Sequence, residues 1–187
     1  MNPSKLTIKT IAGNALDVDQ LVDEQFDHIL LMGPMYHLFD EADRIKAVHA
    51  SINLLKPHGV LFVSFINMFA GMVYAMRNMP QIVLEQSEHS YLSAFVENRS
   101  FAGMAFTQAY FASQNEILPF MSQFPLEKLH LFGQECITSP CEDKIMSQPI
   151  EVIDAWLDLC EKVWEREDLY SFSEHLMYVG CKTDGRK

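Results

Sequence analysis

Two apolar runs, one on each side of an amphipathic stretch, constrain this chain more than any other feature. The first, FDHILLM at 26–32, is almost continuously hydrophobic, the pattern of a strand covered on both faces. The second, VLFVSF at 60–65, has the same character. Between them Asp40 offers an N-cap, and Glu41 and Asp43 favour the positive end of a helix. Ala42, Ile45, Val48, Ile52 and Leu55 then recur at helical spacing as one apolar stripe. KPHG at 56–59 is expected to end that helix, because Pro57 cannot continue it and Gly59 turns freely. Strand, helix and strand in this order form a βαβ unit. Its strands must run parallel, with a right-handed crossover, which selects the α/β class.

The remaining segments attach to that unit. Leu6, Ile8 and Ile11 alternate, which predicts a strand ending at Gly13. A helix is expected from 68 to 79, closed by Pro80, and a shorter one is expected to break near Pro119. Residues 83–111 mix aromatic and polar side chains without a clean period and read as an excursion outside the sheet. LEKLHLFGQECI at 126–137 alternates like a strand, and EHLMYVGCK at 174–182 like a closing one. Between them Ile150, Ile153, Trp156, Leu157, Cys160, Val163 and Trp164 share one helical face. No repeat, low-complexity tract or linker interrupts the chain. A single domain over 1–187 is expected, with its sheet from 1–67 and 125–187 and an insertion at 68–124.

Charge and cysteine usage narrow the partners. With 14 basic and 25 acidic residues the net charge is -11, and no Lys/Arg run is present, so no nucleic acid partner is expected. Cys136, Cys141, Cys160 and Cys181 form no CxxC pair and have no matching His pair, so no metal site is expected. Free thiols and an opening ten residues without an apolar core fit a reducing, cytoplasmic setting. Residues 59–76 carry no charge over a length that spans a bilayer. Ser64 and Asn67 lie midway, and the first half is β-branched and aromatic, so the stretch reads as a strand running into an apolar helix, with no membrane partner.

In an open parallel sheet, ligands bind beyond the carboxyl ends of the strands. Residues 13–17 and 33–37 both follow expected strands. Gly13 and Gly33 let backbone approach a ligand, Pro34 stiffens the second loop, and Tyr36 and His37 are placed to line a cleft. The plainer alternative is that Gly-Pro is only a turn, Tyr36 a half-buried packing residue and His37 a hydrogen-bonded structural one.

The order of these pieces, FDHILLMGPMYHLFDEADRIKAVHASINLLKPHGVLFVSF, resembles the middle of class I S-adenosylmethionine-dependent methyltransferases, in the subgroup with Gly-Pro-Leu-Tyr-His-Leu. That family has a Phe-Asp opening, an apolar strand, an acidic-capped helix and Leu-Lys-Pro-Gly-Gly before another strand. AGNALDVDQL resembles the loop after the family's third strand, and AYFASQNEI and SEHLMYVGCK its distal parts. The resemblance implies a partial Rossmann-like methyltransferase sheet in three layers, with S-adenosylmethionine as cofactor and a small-molecule acceptor. Asn14 would face the adenine amino group, with Ala15 and Leu16 beside the ring and Gly13 letting the backbone approach the cofactor. Met32, Gly33 and Pro34 would border the cofactor, and Tyr36 and His37 the methyl-transfer point, as candidate catalytic groups. Family members acting on base or amide nitrogens carry Asn, Asp or Ser where Gly33 stands, so that substrate class is not expected. The 68–124 insertion would cover the acceptor.

The family's glycine-rich loop and ribose-binding acid have no counterpart here, since the eight glycines never form a GxGxxG cluster. The chain is therefore expected to lack the first two strands of the fold, as if shortened at its N-terminus. The strand at 28–32 would then present an open edge, completed by a second copy in a homodimer or by another chain. Two functions follow: methyl transfer, or a non-catalytic methyltransferase-like binding or dimerisation module.

Overall fold

The computed structural model describes residues 8–104 and 108–183. The chain is irregular and exposed over 8–14, turns once as a 3-10 helix at Ala15–Asp17 and continues as α1 (Val18–Leu21). β1 (Phe26–Leu31), α2 (Pro34–His37), α3 (Glu41–Asn53) and β2 (Leu55–Asn67) follow. β1 and β2 pair in parallel, from His28 opposite Val60 to Leu31 opposite Val63, so the βαβ unit forms. The expected cover on both faces of β1 does not: Leu31 is buried against the core, whereas Leu30, on the other face, is 63% exposed because no helix among the described residues lies over that end of the sheet.

Two boundaries differ from expectation. The strand expected to end at Gly13 is absent from 8–13, while Leu6 lies outside the described residues. No sheet edge takes up that stretch, and the residues after it pack on α3 instead, tied by Asp17 to Lys46 (2.7 Å) and Asp19 to Asn53 (2.9 Å). KPHG does not separate helix from strand either. α3 stops at Asn53, and Lys56, Pro57, His58 and Gly59 lie within β2 as a bulge. There the register jumps from Phe26–Leu55 to His28–Val60, and His58 takes φ 59°. A bulge tolerates Pro57 because no ladder hydrogen bond is asked of its nitrogen. Asp40 does occupy the N-cap position, but its backbone closes the turn: the Asp43 and Arg44 N–H groups each donate to Asp40 O at 3.1 Å.

Beyond β2 come α4 (Met68–Asn78), α5 (His89–Val96), β3 (Phe101–Met104), β4 (Gln108–Ala112) and α6 (Gln114–Met121). Then follow β5 (Leu126–Gly133), α7 (Glu142–Met146), α8 (Ile150–Val163) and β6 (His175–Lys182). The result is a mixed α/β structure, a six-stranded sheet flanked by helices. Its order is β3-β4-β2-β6-β5, with β1 also on β2. β6 runs antiparallel to both β2 and β5. β1 and β4 share one edge of β2: β1 reaches Val63, and Phe111 and Ala112 of β4 take over at Ile66 and Asn67. Within 83–111, Phe101–Met104 and the start of Gln108–Ala112 therefore enter the sheet, while α5 stays outside it as expected. The free edge left where β2 outruns β1 is what the β3–β4 hairpin satisfies. α6 passes through Pro119 and ends at Met121, and the strand expected to reach 137 stops at Gly133.

The main core lies on the α3 and α6 side of the sheet, where Leu55, Leu61, Val63 and Leu176 meet Val48, Ile117 and Met121. A second cluster, with Tyr91 under the β3–β4 hairpin, is pinned by the Tyr91 hydroxyl donating to Met68 O (2.7 Å). Among the described residues no helix is long and apolar enough to cross a membrane; the uncharged stretch at 59–76 divides between β2 and α4.

Candidate functional site

The first turn after β1 is built by glycine for a backbone reason. Gly33 has φ 118°, which L side chains rarely adopt, and it caps α2 with Pro34 in the first turn. A Cβ there would meet only the Tyr36 hydroxyl, at 3.8 Å, so the space above Gly33 is open. Met35 turns wholly into the core and anchors the turn, while Tyr36 stays half-buried and His37 exposed. Neither is sealed away.

Arg44 of α3 fixes the far end of this loop. Buried to 5% exposure, its Nη1 donates to Leu38 O (2.7 Å) and Phe39 O (2.6 Å), and its guanidinium lies 3.7 Å above the Tyr110 ring of β4. One cation thus ties α3, the loop and the inserted hairpin together.

β6 brings a second group to the same end of the sheet. Its first residue, His175, pairs with Ile66 near the carboxyl end of β2, and its ring lies 6.0 Å from that of Tyr36. Tyr36 in turn lies 4.9 Å from the His37 ring, so three rings stand in a row: His37, Tyr36, His175. Behind them His175 Nδ1 donates to Glu135 Oε1 (2.7 Å), and the His175 backbone N–H (2.9 Å) and Ser173 hydroxyl (2.8 Å) donate to Oε2. Ser173 Oγ accepts from the Glu135 and Cys136 N–H groups at 3.0 and 3.1 Å, which fixes the carboxylate's own backbone. Burial opposes ionisation of Glu135, but the hydrogen bonds from His175 and Ser173 outweigh it and hold its carboxyl below the usual range. The Glu135 hydrogen bond raises His175 against the opposing effect of burial. A hydrogen-bonded histidine–carboxylate pair therefore stands behind Tyr36, placed to orient a polar ligand.

The remaining expected binding residues are more dispersed. Asn14 caps the 3-10 turn, its Oδ1 accepting from Leu16 N–H (3.0 Å). Gly13 is exposed, Ala15 and Leu16 are half-buried, and this turn packs chiefly on α3 rather than on α2. Met32 is 50% exposed at the tip of β1. Met32, Gly33, Pro34, Tyr36 and His37 thus cluster at the tip of β1 and the turn after it, half-buried or exposed, while Asn14 sits in the turn packed on α3. Arg44, Glu135 and His175 are absent from the sequence-based set. Only the β2–β6 register brings GQEC and SEHL, more than 95 residues on, beside the Tyr36 loop. Among the described residues no group of three or more His, Cys, Asp or Glu could hold a metal ion.

No protein-family model matches the chain, and no curated protein matches it in sequence. Among solved structures it is similar to the plantazolicin methyltransferase BamL, in complex with a triazolic desmethylPZN analog and SAH. The identity is 14%, over 92% of this chain and 59% of that one, with a TM-score of 0.44. The chain spans about three fifths of that protein's length.

Proposed function

We propose that this chain carries the acceptor side of an S-adenosylmethionine-dependent methyltransferase acting on a small molecule. The observation that carries the reading is Tyr36 and His37 displayed at the carboxyl end of β1 in a parallel βαβ unit, next to the His175–Glu135 pair. The sequence resemblance over 26–65 supports it. The open space above Gly33 fits the approach of a nucleoside, and Met32, Gly33 and Pro34, with Gly13, Asn14, Ala15 and Leu16 on the turn packed against α3, would hold one flank of the cofactor.

When bound, S-adenosylmethionine supplies an already activated methyl carbon, so the protein's share is alignment and exclusion of water. Tyr36 provides an aromatic wall with a hydroxyl, and His37 a base within reach of solvent for an acceptor that must lose a proton. Arg44 holds the loop in place through the carbonyls of Leu38 and Phe39. The same reading has the free edge of β1 pair with a second copy. About His28, antiparallel self-pairing sets Leu30 against the partner's Phe26, apolar on apolar.

Calorimetry with S-adenosylhomocysteine on the 187-residue chain tests the cofactor half of this proposal. Saturable binding that falls at least tenfold in Met32→Glu, a half-exposed position, with circular dichroism unchanged, is expected. No binding by the well-folded chain would leave the non-catalytic module as the reading to keep.

A further inference from the structure

A concavity of about 380 Å³ opens between α7, α8 and the turn after β5. That is the size of a small-ligand pocket. Its floor is apolar and aromatic: Ile153, Trp156 and Leu157 come from α8, and Trp164 lies just beyond that helix. Trp164 stacks on Phe132 with ring centroids 4.6 Å apart, which fixes its orientation and leaves it 39% exposed. Trp156 is 38% exposed. Three carboxylates, Glu135, Glu142 and Glu161, complete the lining, and no Lys or Arg does. Glu135 is engaged by a hydrogen bond from His175 (2.7 Å), whereas Glu142 and Glu161 have neither an ion pair nor a side-chain hydrogen bond among the described residues.

Indole faces attract cations by their quadrupole, and unpaired carboxylates at the rim add a second attraction of the same sign. A neutral or anionic guest would gain neither. We infer that this groove binds a small organic cation, a quaternary or protonated amine with an apolar body. This goes beyond the methyl-transfer reading and does not depend on it, because no residue of the 33–37 loop lines the groove.

The protein contains only two tryptophans, and both line the groove, so tryptophan emission, excited selectively over the six tyrosines, reports on it. Choline and its neutral isostere 3,3-dimethylbutan-1-ol are titrated at matched ionic strength, with no S-adenosyl compound present. A saturable change in emission is expected, with choline about tenfold tighter than the alcohol. The double variant Glu142→Gln, Glu161→Gln alters two exposed residues, which keeps the fold intact by circular dichroism. It is expected to weaken choline at least fivefold and leave the alcohol unchanged. Equal affinity for the two probes, a response that never saturates, or choline affinity untouched by the double variant would each overturn the inference. Failure of S-adenosylhomocysteine to bind would leave it standing.

Discussion

The two faces of one sheet have very different covers. On the α3 side, Leu61, Val63 and Leu176 are fully buried and Leu31 nearly so. On the opposite side Leu30 of β1 is 63% exposed, and α8 buries only Cys160 among its fourteen residues. The coverage is graded rather than absent. Met177 and Val179 of β6 are buried on that second face, where Trp164 reaches Phe132, and exposure grows toward β1. Alternation along the strands sets this directly, since neighbouring residues point to opposite faces. The α3 face therefore carries the stability of the chain, and the β1–α8 side is surface available for binding.

The largest expected effect tests the covered face. Leu61→Ala removes a side chain with no exposure from the middle of the core and is expected to cost about 2–5 kcal/mol in urea unfolding. If the cost is below 1 kcal/mol, the two faces do not differ in the way their burial implies.

Next comes Asn67, the fully buried residue where β2 ends. Its Nδ2 donates to Tyr170 O (2.8 Å) and Ser173 O (3.1 Å), and its Oδ1 accepts from Phe69 N–H (3.3 Å) to cap α4. Asn67→Ala strands these groups and is expected to cost about 2–3 kcal/mol by the same measurement. The loss should exceed that of Asn14→Ala, whose cap is exposed.

These residues also show where sequence reasoning works. The βαβ unit was readable because two apolar runs and a 3.6-residue stripe are local signals, but the run at 26–32 overstates burial: β1 is covered on one face only, with Leu30 63% exposed on the other. The β3–β4 hairpin was not, because Phe101 and Phe111 are made strand residues by an edge of β2 that β1 leaves free, a fact of tertiary pairing. The stripe on α8 was read correctly as amphipathic, yet pattern alone does not say that this face stays largely open. At the candidate site, Tyr36 and His37 are singled out by Gly-Pro and their position after a strand, and the structure leaves them half-buried and exposed at the end of β1. Glu135 and His175 did not, since an isolated Glu and His carry no spacing signal until the β2–β6 ladder sets them beside that loop.

A smaller effect belongs to that pair, which lies at the boundary between the two regions. His175 is raised by Glu135, so its contribution is full below its ordinary value of 6.5 and is lost as pH rises through the folded value. Glu135 is lowered overall, so its contribution is full above 4.5 and is lost as pH falls through its folded value. Stability from the pair is therefore greatest between pH 4.5 and 6.5 and declines on either side. His175→Gln should flatten that profile by about 1 kcal/mol in pH-dependent unfolding, and an unchanged profile would mean the pair adds nothing.

The smallest effect on stability is expected on the open side. Leu30→Lys places a charge where the side chain already meets solvent, so the folded chain should change by about 0.5 kcal/mol or less. Its effect on association should be large by contrast. Among the described residues β1 pairs with β2 alone, and its second edge offers N–H and C=O groups to any matching strand. Size-exclusion with light scattering should give twice 21.5 kDa for the wild type and 21.5 kDa for Leu30→Lys, because lysine on the exposed face opposes the apolar pairing with the partner's Phe26. A wild-type monomer at high concentration would remove the second copy from the edge. A variant dimer as tight as the wild type would place the contact elsewhere, with the exposed stripe of α8 as the next surface to substitute.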